Sequence, residues 1–148
     1  MRQQLTIASL LVALALPTAA HAQFAKTEDA IKYRAATFVV MGNHFSRIGA
    51  VVKGEKPFDK NEVAANAAIV ASLAHLPWQA FGPGTEGGKS LPEIWKEMDK
   101  FKAGGEKMQK AVADLNTAAK SGDLDSIKKA FGEAGKSCKA CHDNYRKK

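Results

Sequence analysis

Cys138-Lys139-Ala140-Cys141-His142 stands close to the end of a 148-residue chain that has only two cysteines. C-x-x-C-H is the spacing at which a c-type haem is attached. Two thiols add to the porphyrin vinyl groups and the neighbouring imidazole ligates the iron. On a helix the cysteines lie one turn apart and Cys138 and His142 are i,i+4 neighbours, so all three side chains can meet one flat macrocycle. The other uses of C-x-x-C find less support. A redox dithiol calls for a βαβ pattern, and none is visible. A zinc site needs two more ligands at fitting spacing. His44 and His75 are the only other histidines after residue 22, and neither sits in a ligand-like pair. A disulfide across two residues would close a tiny loop and constrain little. The reading is one haem c per chain, covalent through Cys138 and Cys141, with His142 as the iron ligand.

Met1–Ala22 reads as a secretory signal peptide. Arg2 is its positive start, Leu5–Leu16 its apolar run and Ala20-His21-Ala22 its cleavage site. The run of about 12 residues falls short of the ~20 that span a bilayer, so no membrane association is expected. Cleavage before Gln23 leaves one domain, 23–148. A bacterial-type signal together with C-x-x-C-H points to the periplasm. The formal charge is +7. Basic chains can bind nucleic acid or acidic partners, but these lysines are spread out, with no aromatic-interleaved patch. A solvated surface is expected, and no nucleic acid.

Four helices are expected in residues 23–148. The first covers about Thr27 to Val52, where Tyr33, Thr37, Phe38, Met41, Phe45 and Ile48 form an apolar stripe. The second starts near Asp59, whose spacing to Glu62 resembles a capping box, and Pro77 ends it. Pro77–Leu91 is a long, glycine-rich connection. It lacks the preceding strand and the G-K-[ST] of a phosphate loop, and Trp78 and Phe81 suggest that it packs near the cofactor. The third helix runs from about Pro92 to Gly122. Its Gly104-Gly105 pair allows either a close contact or a kink. The fourth starts at Asp123 or Asp125 and carries Ile127, Phe131, Ala134, Cys138, Cys141, His142 and Tyr145 on one broad face. The fold class is all-α: an antiparallel four-helix bundle with covalently bound haem, its cofactor site built from facing helices.

At this point the residues resemble the cytochrome c′ family. The resemblance spans Gln23-Phe24-Ala25-Lys26, Tyr33-Arg34, Leu76-Pro77-Trp78 with the loop through Gly88, Ser137-Cys138-Lys139-Ala140-Cys141-His142-Asp143, and Tyr145-Arg146. It implies a high-spin, five-coordinate iron with His142 as its only protein ligand, a homodimer, and binding of the diatomic gases NO and CO rather than O₂. It sets Arg34 near a haem propionate, Phe38 on the distal face and Arg146 on the proximal side close to the axial histidine. It makes Trp78 and Phe81 pocket walls. Two departures stand out. Phe38 is bulkier than the leucine of several members, and Ala35 replaces a polar residue of some relatives. Dimerisation through the first two helices is expected from the resemblance and from Ala64, Ala65, Ala67 and Ala68.

A distal face lined with carbon offers no hydrogen bond to O₂, whereas NO and CO depend less on one. The expected role is NO sequestration or transport, or electron transfer with a redox partner that the sequence does not name. The rival reading is a low-spin His/Met electron-transfer cytochrome, with Met41 as sixth ligand. An enzyme such as a peroxidase is not expected, because no distal His/Arg pair is evident.

Overall fold

The computed structural model describes residues 23–148. The expected signal peptide, 1–22, lies outside the described residues. Four long helices, α1 (Thr27–Val52), α2 (Lys60–Leu73), α4 (Met98–Ser121) and α5 (Leu124–Tyr145), form the bundle. Their ends follow local chemistry. The Asp59 carboxylate accepts from the amides of Asn61 and Glu62 at the start of α2, and Asp123 accepts from the Ser126 amide at the start of α5. Both satisfy N–H groups that a helix leaves orphaned. Gly122 closes α4 at φ 77°, a left-handed conformation that suits glycine.

Two expectations shift in detail. The third helix is divided into a single turn, α3 (Glu93–Lys96), and α4, with the break at Glu97 (φ −123°, ψ 40°). The Gly104-Gly105 pair is not a kink, because α4 runs straight through it. Gly105 is instead a point of close contact, where a Cβ would meet the Trp78 ring at 2.8 Å. The Pro77–Leu91 crossover holds a 3₁₀ turn, Pro77–Phe81, and α2 stops at Leu73, ahead of the proline.

Two apolar clusters divide the interior. The main core joins Met41 and Ile48 of α1, Val63 and Val70 of α2, Met108, Val112 and Leu115 of α4, and Ile127 and Ala134 of α5. Phe45 stacks on Phe131 across α1 and α5, with centroids 4.3 Å apart. The second cluster is aromatic and sits at the crossover end of the bundle. Phe81, Ile94 and Phe101 are buried there, with Phe38, Trp78, Trp95, Cys141 and Tyr145 packed against them. Of the four alanines expected at a dimer surface, Ala67 is 1% exposed within the chain's own core and Ala64 is half-buried, so Ala65 and Ala68 alone face outward. Val39, Val40 and Ile69 are exposed on α1 and α2. Among the described residues no helix is long and apolar enough to cross a membrane.

Candidate haem-binding site

α5 brings Cys138 and Cys141 to the junction of the two clusters: Cys138 packs against the main core and Cys141 against the aromatic rings. Both are half-buried, and no disulfide joins them. Burial pushes both thiol pKa values up, that of Cys141 to about 11, with Cys138 adding to the shift. His142 is exposed next to Cys141 on α5, and the line of α5 that meets the aromatic rings passes through Cys141 and Tyr145. Its surroundings still remove enough water to lower the imidazole pKa, with Arg146 adding to this and Asp143 opposing. Arg146 is exposed at the C-cap of α5. Its backbone pairs with Ser90 in an isolated antiparallel bridge.

Across the cluster, Phe38 projects from α1 toward the crossover. Its ring centroid lies 6.3 Å from Trp78, edge-on, and 6.4 Å from Phe81. Phe81 meets Phe101 at 4.8 Å, and Phe101 meets Tyr145 at 5.3 Å. Phe38, Trp78 and Phe81 are thus brought together. A half-open cavity of about 630 Å³ adjoins them, walled by Trp78, Phe81, Trp95, Met98 and Phe101. Its size suits a cofactor or small ligand. Its walls include neither cysteine, so the thiols, rather than the cavity, locate the attachment point. Met41 is buried at 7% exposure in the main core, against which Phe38, Trp78 and Cys138 also pack.

Arg34 behaves in a way the sequence does not reveal. It is only 3% exposed. Nη1 donates to the carbonyls of Ala80 (2.6 Å) and Thr85 (2.7 Å), and Nη2 donates to that of Gly87 (3.0 Å). The guanidinium stacks on Phe81 at 4.6 Å from the ring centre, and Trp95 lies at 5.6 Å. Burial lowers its pKa and Glu86 partly opposes this. The binding partners are 46 to 53 residues away in sequence, which no periodicity could signal.

The donor set tests the fit of a haem. Two cysteines one turn apart lie where the main core meets the aromatic cluster, an imidazole follows directly, and no group of three or more His, Cys, Asp or Glu suited to a metal ion exists among the described residues. Soft, half-buried thiols beside flat apolar walls suit a covalently held macrocycle better than a free ion.

Fold and site together define a c-type haem protein of the four-helix-bundle class. A family model described as Cytochrome C′ matches residues 29–146. Cytochrome c′ of Alcaligenes xylosoxydans xylosoxydans is 51% identical over 126 residues, covering 85% of this chain and 99% of that protein. Cytochrome c′ of Rubrivivax gelatinosus is 44% identical over 129 residues, covering 85% and 100%. Among solved structures, the nitric oxide complex of a leucine-to-alanine variant of Alcaligenes xylosoxidans cytochrome c prime matches with TM-score 0.82 at 50% identity, covering 85% of this chain and 99% of that one. The chain belongs to the cytochrome c′ family. Its cofactor is haem c, and Cys138 and Cys141 are the attachment residues.

Proposed function

We propose that this chain is a periplasmic haem protein whose iron takes His142 as its single protein ligand and binds NO and CO at a crowded apolar face under Phe38. Its role is NO sequestration or transport, or electron transfer to a redox partner. The observation that carries the reading is the position of the Phe38 ring against Trp78 and Phe81.

When bound, the haem supplies one open coordination site for a diatomic gas. Phe38, Trp78 and Phe81 offer that site carbon. The one N–H among them, Nε1 of Trp78, donates to the Ala74 carbonyl at 2.6 Å. Polar groups along the same helix are also committed. The Thr37 hydroxyl donates to the Tyr33 carbonyl at 2.9 Å, and His44 Nδ1 bonds Asn66 Oδ1 at 2.8 Å. A face without a free donor discriminates against O₂, which gains polar character on binding, far more than against NO or CO. Phe38 adds steric control of access.

Arg34 keeps Nε–H and one Nη2 N–H for an anionic group such as a propionate. Arg146 would act on the proximal side, where its charge already bears on His142. Met41, in the core against which Phe38 and Cys138 pack, is the sixth ligand of the rival low-spin reading, and the spectrum separates the two. The NO complex of the solved relative supports the gas assignment. A homodimer would use the outward faces of α1 and α2, through Val39, Val40, Ala65, Ala68 and Ile69.

The visible spectrum of the reduced and oxidised holoprotein, with and without NO, tests the proposal. A high-spin haem that changes on adding NO is expected. A low-spin ferric spectrum with the weak long-wavelength band of methionine ligation would refute it.

A further inference from the structure

We propose that Arg34 is the positioning residue that holds the crossover, residues 77–91, onto the aromatic site, and that it thereby keeps the face under Phe38 in register with the C-terminal end of α5. The gas-site part rests on the function proposed above; the holding of the crossover does not.

After Phe81 the crossover has no regular structure. Thr85 turns back on the Gly82 carbonyl through its hydroxyl at 2.7 Å, Trp95 Nε1 donates to the same carbonyl at 3.0 Å, and the Thr27 hydroxyl donates to that of Gly84 at 2.6 Å. Gly82, Gly84, Gly87 and Gly88 crowd the segment, and Gly84, Gly87 and Gly88 adopt positive φ (79°, 120° and 60°). Glycines lose the most conformational freedom on ordering, so such a segment needs external anchors. Arg34 grips the crossover at Ala80 in the 3₁₀ turn and at Thr85 and Gly87 beyond it, with one rigid guanidinium. No carboxylate lies within ion-pair distance of Arg34 among the described residues. Its buried charge is therefore met by carbonyl dipoles and aromatic faces. This arrangement serves a backbone anchor, since charge-assisted bonds are the stronger class and a planar fork spans several acceptors as a lysine nitrogen does not.

The anchor reaches further through one carbonyl. Gly87 O accepts from Arg34 Nη2 at 3.0 Å and from the Ser90 amide at 3.2 Å. Beyond Ser90, the Leu91 amide donates to the Tyr145 carbonyl and the Lys147 amide to the Lys89 carbonyl, each at 2.9 Å. The Arg146 amide then donates to the His142 carbonyl at 3.2 Å. A run of hydrogen bonds therefore joins the α1 turn before Phe38 to the α5 turn of His142, with Arg34 at its head.

Amide exchange in the holoprotein tests this, comparing wild type with Arg34→Lys, which keeps the charge, and Arg34→Met, which removes it. The Leu91 and Lys147 amides should exchange at least about tenfold faster in both variants, since charged hydrogen bonds are the ones lost. The Leu115 amide in mid-α4 serves as the internal reference and should hold. CO association should accelerate in the same proteins. If Arg34→Met does not fold, Arg34→Lys alone decides. Exchange at Leu91 and Lys147 within about twofold of wild type in Arg34→Lys overturns the proposal, as does acceleration shared equally by Leu115, which would mean global loosening. If Phe38→Ala leaves CO association unchanged, the gas-site reading falls while the exchange result still decides the role of Arg34.

Discussion

Alanine at Gly105 and alanine at Gly104 should change stability in opposite directions. Both glycines lie inside α4, where glycine costs about 1 kcal/mol relative to alanine. At Gly104 an added Cβ meets nothing within 4 Å, so the helix gain is kept. At Gly105 the same atom would sit 2.8, 2.9 and 3.0 Å from Cζ3, Cη2 and Cε3 of Trp78. Carbon atoms favour roughly 3.5–4.0 Å. The indole is poorly placed to retreat: its N–H is tied to the Ala74 carbonyl at 2.6 Å, and its ring meets Phe38 at 6.3 Å and Phe101 at 5.5 Å. Overpacking of this kind costs roughly 1–3 kcal/mol, and loosening the Trp78 bond adds about 1 kcal/mol. After the helix gain is subtracted, Gly105→Ala should lose about 1–3 kcal/mol. Gly104→Ala should gain about 0.5–1 kcal/mol. Urea unfolding of the two holoproteins measures this as midpoint shifts of opposite sign at equal slope. Shifts of the same sign and similar size would refute the packing of Trp78 onto Gly105.

Phe38→Ala should speed CO association at a cost of about 2–3 kcal/mol, less than the ~3–5 kcal/mol of a fully buried ring because Phe38 is half-buried; an unchanged rate would make Phe38 ordinary core. Intact mass from a haem-maturing host should exceed that of the 23–148 chain by one haem, and release of the haem by acid-acetone would contradict covalent attachment. Ile69→Glu should give a monomer in sedimentation where the wild type is dimeric; a wild type already monomeric at micromolar concentration would remove the proposed interface. The hydrogen bonds from Ser126 hold the Asp123 carboxyl below its ordinary pKa. Its stabilisation is therefore complete above the usual carboxylate range and is lost as pH falls through the lowered folded value. Asp123→Ala should be less stable than wild type at neutral pH, with the gap closing in strong acid; a gap that persists there would rule out this carboxylate as its source.

Features encoded within a few residues are legible in the sequence. Asp59, Gly122 and Asp123 act where their sequence neighbours suggest, because a cap is decided by one side chain and the next turn. C-x-x-C-H is legible for the same reason. The break at Glu97 carries no proline or glycine to announce it. Gly104-Gly105 advertises a close contact without saying which glycine makes it, since that depends on Trp78 arriving from another element. Arg34 is the furthest from reach. A cation one turn before Phe38 suggests an anionic partner, yet its three bonds go to neutral backbone of a segment without regular periodicity. The 89–91 and 145–147 pairing is a single bridge, too short to leave an alternating pattern.

The crossover also determines where the chain can be cut and rejoined. The Thr27 hydroxyl at the head of α1 donates to the Gly84 carbonyl at 2.6 Å, and the Lys147 amide just past α5 donates to that of Lys89 at 2.9 Å. Both ends of the bundle sequence therefore open on one segment. A short flexible linker from residue 147 to residue 27 would bridge neighbouring ground. The exposed connection between α1 and α2, residues 53–59, lies at the far end of a helix about 39 Å long. New termini placed there would sever none of the hydrogen bonds that close the crossover. The fold is thus suited to circular permutation, with the haem helix moved to the interior of the polypeptide while its neighbours stay the same.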